Sequence, residues 1–444
     1  MDDLQWQLSN LGGVLPRIVD EILERGGLEA LVDAARERED WFWAAGAVRG
    51  LCALGAFERA WTVVEPFAAT GWQPAVRAGA DVLLRWGHVD QALELARPER
   101  PRENAVAALR DYAEALVRAG RVDDAIGVLG PHLRGGRLLG ALVEMTEDQG
   151  RDERVLELLA PIAEEFRHDP KQCDDLWGAL PAQGRVLERS GRADQAIRLL
   201  GADVTARRYG PENNVEFYAE LLARHGRVEE LRDLADTQRY SAVRPYVTAL
   251  ENLGRAGEAE AYLRDLIAAE HPGRHQSTLM GLLIRQGRVD DAIEAVEHTF
   301  DDLYDGNLLQ ATLTVLADRG LYDRAIGLTE GRSPEFLAEN DEFWLRPHRW
   351  WLMGKSGRAR EAIAEIQASP ADRVEDRELT IAWLLAQDGR VEEATALLRP
   401  LPGVRAATDL AALLIREGRL TEALAVIPDV AAQREEKRRL RAER

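Results

Sequence analysis

Three short stretches of this chain bring together residue types that do chemistry elsewhere. Gly354-Lys355-Ser356 ends like a phosphate-binding loop, in which backbone N–H groups and a lysine cradle the phosphates of a nucleotide. Position 349, where that loop needs its first glycine, holds Arg349, and no strand-like run precedes it, so the stretch reads as a turn between helices. His271 and His275 stand four apart, the spacing at which two imidazoles on a helix share a metal. Pro272 and Gly273 lie between them and make the segment a linker. Cys52 and Cys173 are too few for a disulfide framework or a zinc cluster and fit a reducing compartment. No His-Glu-x-x-His, Gly-x-Ser-x-Gly, dinucleotide fingerprint or Cys-x-x-Cys is present. The expectation is a protein with no catalytic residues, no cofactor and no metal.

A second set of residues suits binding. Arg77, Arg85, Arg110, Arg118, Arg189, Arg224 and Arg244 recur at helical spacing, and guanidinium forks pair bidentately with carboxylates. Trp351 and Trp383, with Phe343 and Trp344 nearby, could anchor an apolar side chain. Each set has a structural alternative: ordinary helix-stabilising pairs for the arginines, core filling at an irregular junction for the tryptophans.

One string recurs along nearly the whole chain: Gly-Arg-x-x-x-Ala-x-x-x-Leu. Its glycines are Gly55, Gly87, Gly120, Gly150, Gly191, Gly226, Gly254, Gly287, Gly320, Gly357, Gly389 and Gly418, with a degenerate copy at Gly26. Twelve intervals cover the 392 residues from Gly26 to Gly418, a period of about 33. Four residues before the glycine stands leucine, except at Thr146 and Met353; five after it stands alanine, except at Val155 and Leu231. The pattern predicts a helical hairpin. Glycine takes the left-handed cap of a first helix, acidic residues such as Asp290 and Asp291 enter the first turn of a second, and the alanine lets the two approach. Prolines eleven residues past the glycine (Pro66, Pro98, Pro131, Pro161, Pro400) should limit or kink the second helix.

The glycine turn, the small residue deep in the second helix and the period resemble the tetratricopeptide repeat, over roughly residues 15 to 430. That resemblance implies an all-α, right-handed superhelical solenoid of about twelve degenerate repeats whose first helices line a concave groove. Positions ten, six and two before each glycine then face the groove, which makes the arginines an inner stripe and puts Trp351 and Trp383 in one concave column. Residues 1–25 are expected to cap the array, 26–429 to form it, and the charged stretch 430–444 to cap it or fray, with joints near 165–178 and 331–345.

Composition narrows the partner. A formal charge of −20 repels phosphate backbones and anionic lipid, so the expectation is a protein or peptide partner, an acidic one for the arginine groove, with no nucleic acid and no membrane. The acidic N-terminus lacks a secretory apolar run, which together with the cysteines suggests a cytoplasmic protein. Lysine occurs only at positions 171, 355 and 437, an arginine bias typical of a high-GC bacterial genome. The function read from the sequence is a non-catalytic adaptor binding in the groove; the alternative is a ligand-sensing subunit that controls a separately encoded effector.

Overall fold

The computed structural model describes residues 2–10, 15–98, 105–168, 176–206, 212–237, 239–269, 275–300, 306–370 and 376–442. His271 and Cys173 lie outside them, as do residues 169–175 of the 165–178 segment. Among the described residues the backbone forms helices and turns, with no strand. No described helix is long and apolar enough to cross a membrane.

All thirteen repeat glycines join two helices and have positive φ, from +65° at Gly150 to +92° at Gly87. A side chain there would be strained against its own carbonyl. The hydrogen bonds show why leucine and glycine keep a fixed spacing. The N–H following the glycine returns to the carbonyl of the column residue, as in Arg121 to Leu116 and Arg255 to Leu250, both at 2.8 Å. The glycine N–H bonds one residue further on, Gly120 to Val117 at 2.9 Å. This pair of bonds closes the end of the first helix and leaves the chain aimed to start the second.

Packing follows the same columns. Ala60, Ala92, Ala196, Ala259, Ala325, Ala362, Ala394 and Ala423 have no exposed surface, and the preceding leucines are buried with them. Thr146, which departs from the leucine column, is equally buried and bonds its hydroxyl back to the Leu142 carbonyl at 2.7 Å. The architecture is therefore an all-α solenoid of stacked helical hairpins. The proline expectation holds in part: helices end before Pro98 and Pro400, and Pro131 opens a 3₁₀ turn, but the helices Phe57–Ala68 and Asp152–His168 run through Pro66 and Pro161.

The chain divides into two compact units, Met1–Val82 with Ile293–Arg444, and Leu83–Ala292. In the first unit both chain ends meet. Residues 1–25 hold two helices, Asp2–Asn10 and Leu15–Glu24, and the second of these packs on the helix Val404–Arg416. Arginines of the first hairpin satisfy carbonyls that the last hairpin cannot pair itself: Arg25 donates to the Arg416 carbonyl at 3.2 Å, and Arg38 to those of Leu424 and Ile427 at 2.6 and 3.0 Å. Arg416 in turn pairs with Glu21 at 3.0 Å. The irregular stretch around Gly331 holds an extra helix, Pro334–Asn340, capped by the Ser333 hydroxyl; it continues through a π-helical turn, Asp341–Leu345, into Arg346–Lys355.

Candidate functional site

The structure gives Arg110, Arg189 and Arg224 of the arginine stripe partners within the chain. In the second unit, Arg224 forks onto Glu188 of the preceding hairpin with two contacts of 2.9 Å. Burial would raise the Glu188 pKa, but hydrogen bonds from Arg224 and His225 outweigh it and hold the carboxyl below its ordinary value. Arg285 reaches Glu251 in the same way, at 2.8 Å. Arg189 is half-buried and fully engaged, with Asp152, the Val143 carbonyl and the Thr146 hydroxyl around its guanidinium. Arg110 pairs with Glu114 at 3.0 Å. Arg85, Arg118 and Arg244 are exposed on helices of this unit, and Arg77 is exposed in the first unit.

Arginine has a second use in the repeat string, at the start of the second helix. The arginine after the repeat glycine starts the second helix and pairs with the acid three residues on. Arg255 with Glu258, Arg390 with Glu393 and Arg419 with Glu422 approach to between 2.6 and 2.8 Å. The acidic columns thus serve a local clamp as well as the helix dipole.

The tryptophans lie elsewhere. Trp351 and Trp383 come together in the first unit on one wall of a cleft of about 800 Å³. The helices Arg346–Lys355, Arg377–Gln387 and Val404–Arg416, the first helices of the last three hairpins, supply Trp351, Leu379, Trp383 and Thr408. The chain ends supply the rest of the lining: Trp6 and Asn10 of Asp2–Asn10, Arg17 of Leu15–Glu24, and the face Gln433, Glu436, Lys437, Leu440 of Val430–Ala442. These last four stand at i, i+3, i+4 and i+7, one face of a helix.

Close packing fixes the tryptophan wall. A side chain at Gly354 would meet the Trp383 ring at 2.4 Å, so the Gly354-Lys355-Ser356 stretch is the last turn and cap of a helix, with Gly354 seating an indole, not a phosphate loop. Arg349 bridges Glu330 at 2.9 Å and Glu365 at 3.2 Å. Trp350 is core, its indole N–H donating to Glu365, while Trp351 remains 37% exposed. The Lys355 ammonium sits 5.9 Å from the Trp383 ring centroid, and Arg434 stands 5.8 Å from that of Trp6. His348 stacks near Trp351 at 5.4 Å, and burial lowers its pKa. Trp344 donates to Asn340, and Phe343 is exposed on the π-helical turn, outside the cleft lining.

The last helix is docked by its own chemistry. The Glu436 carboxylate accepts the Val404 N–H at 2.9 and 3.1 Å, closing the start of Val404–Arg416. Gly403, at φ +102°, permits this approach, since a Cβ there would lie 2.9 Å from the carboxylate. Lys437 donates to Asn10, and Arg17 pairs with Asp409 at 3.0 Å. Gln433 is 3% exposed; its amide N–H donates to the Pro428 carbonyl at 3.0 Å, and its carbonyl oxygen has no partner. The Pro428 bond fixes which end of the amide is which, because a carbonyl there needs a donor. Gln433, Lys437 and Trp6 escaped the sequence reading because their segments lie outside the glycine register. The heptad-like face of residues 433 to 440 was the available signal. Among the described residues no cluster of His, Cys, Asp or Glu could hold a metal.

No protein family and no curated protein matches this chain. Among solved structures it is similar to Naa15/Naa10 bound to HypK-THB, at 12% identity over 85% of this chain, with a TM-score of 0.36. It is similar to the pentatricopeptide repeat protein PPR10 from maize, at 16% identity over 86% of this chain and a TM-score of 0.33. The APC/C hetero-tetramer Cut9-Hcn1 aligns over 95% of both chains at 13% identity and a TM-score of 0.25. This chain spans 66% and 57% of the lengths of the first two. The hairpins themselves, not these likenesses, establish the helical-repeat fold.

Proposed function

We propose that this protein is a non-catalytic binding module that takes a peptide segment of a partner protein in the tryptophan-lined cleft of its first unit. The cleft itself carries this reading. It is concave, of ligand size, and presents three indoles beside a few polar groups, the make-up of a site that binds by shape and burial. Aromatic anchors of this kind supply most of the affinity of peptide sites. On this reading the arginine stripe chiefly ties hairpin to hairpin.

The test is selection of random 12-residue peptides on the wild-type chain and on the variant carrying both Trp351→Ala and Trp383→Ala. Enriched peptides are expected to bind the variant about 30-fold or more weakly, the cost of losing a hot-spot side chain. Equal binding by both proteins would remove the cleft from the function. The shared walls favour a second reading, a ligand-sensing regulatory subunit, because whatever fills the cleft touches both the first helices and the last. Slower amide exchange in Asp2–Asn10 on peptide binding would support it, and unchanged exchange would count against it.

A further inference from the structure

Gln433 lines a cleft large enough for a ligand, and its carbonyl oxygen is a buried acceptor without a donor, covered by neighbouring atoms. Such an atom is costly to leave unmet, and a ligand N–H that displaces the atoms covering it and bonds to it removes that cost. Its amide N–H is already spent on Pro428, so the oxygen cannot be relieved by turning the amide over. One turn on, Lys437 uses a donor on Asn10 and has others to spare. Arg405, from Val404–Arg416, also lines the cleft; it pairs with Asp376 and keeps a largely exposed side chain. The two lining carboxylates are both committed, Asp409 to Arg17 and Glu436 to the Val404 N–H. The cleft therefore offers spare cationic donors, one buried acceptor and apolar faces, inside a chain of net charge −20.

We propose that the ligand is an extended acidic peptide. It places a main-chain N–H on the Gln433 oxygen, an apolar or aromatic side chain against Trp351 and Trp383, and a carboxylate beside Lys437. This rests on the peptide-binding reading of the cleft and specifies its ligand. A nucleic-acid strand also stacks on aromatics, but it brings a phosphate per residue to a site whose lining carries three cations and two anions.

The experiment uses the full chain and fluorescein-labelled eight-residue peptides with a central Phe or Leu, flanked by Asp and Glu, by Ser, or by Lys, read by anisotropy. The acidic set is expected to bind at least tenfold tighter than the lysine set. N-methylation along the best acidic peptide should reveal one position that costs about tenfold in the wild type and nothing further in Gln433→Met. If Gln433→Met does not fold, Gln433→Asn, which withdraws the oxygen and keeps the amide, takes its place with the same expected pattern. Equal binding of acidic and basic peptides, or an N-methyl penalty that survives the Gln433 change, overturns this proposal while binding that still depends on Trp351 leaves the peptide cleft standing. Binding of no peptide, or binding indifferent to Trp351→Ala, overturns both. A 12-nucleotide single-stranded RNA that binds tighter than every peptide, and loses affinity with Trp351→Ala, replaces the peptide with nucleic acid.

Discussion

Two regions of this molecule carry basic side chains, and they spend them differently. On the hairpins of the second unit, Arg189, Arg224 and Arg285 each meet a carboxylate of the preceding hairpin. Around the cleft of the first unit, Arg17 and Arg405 also meet carboxylates, but Lys437 donates to the Asn10 amide, and the buried Gln433 oxygen on the same helix has no donor among the described residues. The difference follows from register. Arg224 and Arg285 stand at one repeat position and find Glu188 and Glu251 at another, so periodic charge is consumed by periodic charge. The helix Val430–Ala442 follows the last hairpin, and its polar face meets single groups of other segments, the Val404 N–H and Asn10, rather than a repeating row. Site chemistry in a repeat protein is to be sought where the repeat is broken.

The largest expected effect comes from overfilling the alanine columns. Ala292→Leu and Ala394→Leu should each destabilise their hairpin by about 1–3 kcal/mol, read as a lowered melting temperature. Only Ala394→Leu, in the hairpin that carries Trp383, should also weaken peptide binding. Equal damage to binding by both would erase the contrast between the units, and wild-type melting of both would overturn the column.

A smaller effect is expected from reversing the stripe. Changing Arg85 and Arg118 together to Glu should leave the fold intact and alter binding of an acidic peptide by no more than about twofold, as expected for screened surface charge. The sequence alone suggests the opposite, that this reversal abolishes an acidic partner. A complete loss would return the site to the stripe and leave the cleft a structural feature.

The smallest effects are in pH dependence, and the two regions should separate there. Burial lowers the His348 pKa beneath its ordinary 6.5, so the unfolded chain binds the extra proton first. Stability from this group is present above that value and falls as pH drops through it. Glu188 is held below its ordinary 4.5 by Arg224 and His225 against the pull of burial; its contribution persists above 4.5 and is lost only under stronger acid. Denaturant melts of His348→Gln and Glu188→Gln against pH should flatten the upper and the lower window respectively. A Glu188→Gln protein that still lost stability between pH 6.5 and 5 like the wild type would agree with this division; one that became flat there would contradict it.

The hairpin was legible from residue spacing alone. Glycine, the leucine four before it and the alanine five after it are local requirements, set by a left-handed cap and by how closely two helices approach, and local requirements are written in local spacing. The same logic made the arginine stripe legible as a row, and Trp351 and Trp383 as one column. The partners of those rows were not legible, since Glu188 and Arg224 are 36 residues apart and share no motif. Still less visible was the meeting of the chain ends. That Lys437 faces Asn10, 427 residues away, and that Gln433 is buried with one polar atom unmet, depend on where the last helix docks. That docking is decided by Glu436 closing the start of another helix and by arginines of the first hairpin reaching carbonyls of the last. Those are long-range satisfactions of backbone groups, and only the tertiary structure decides which side chain is near enough to make them.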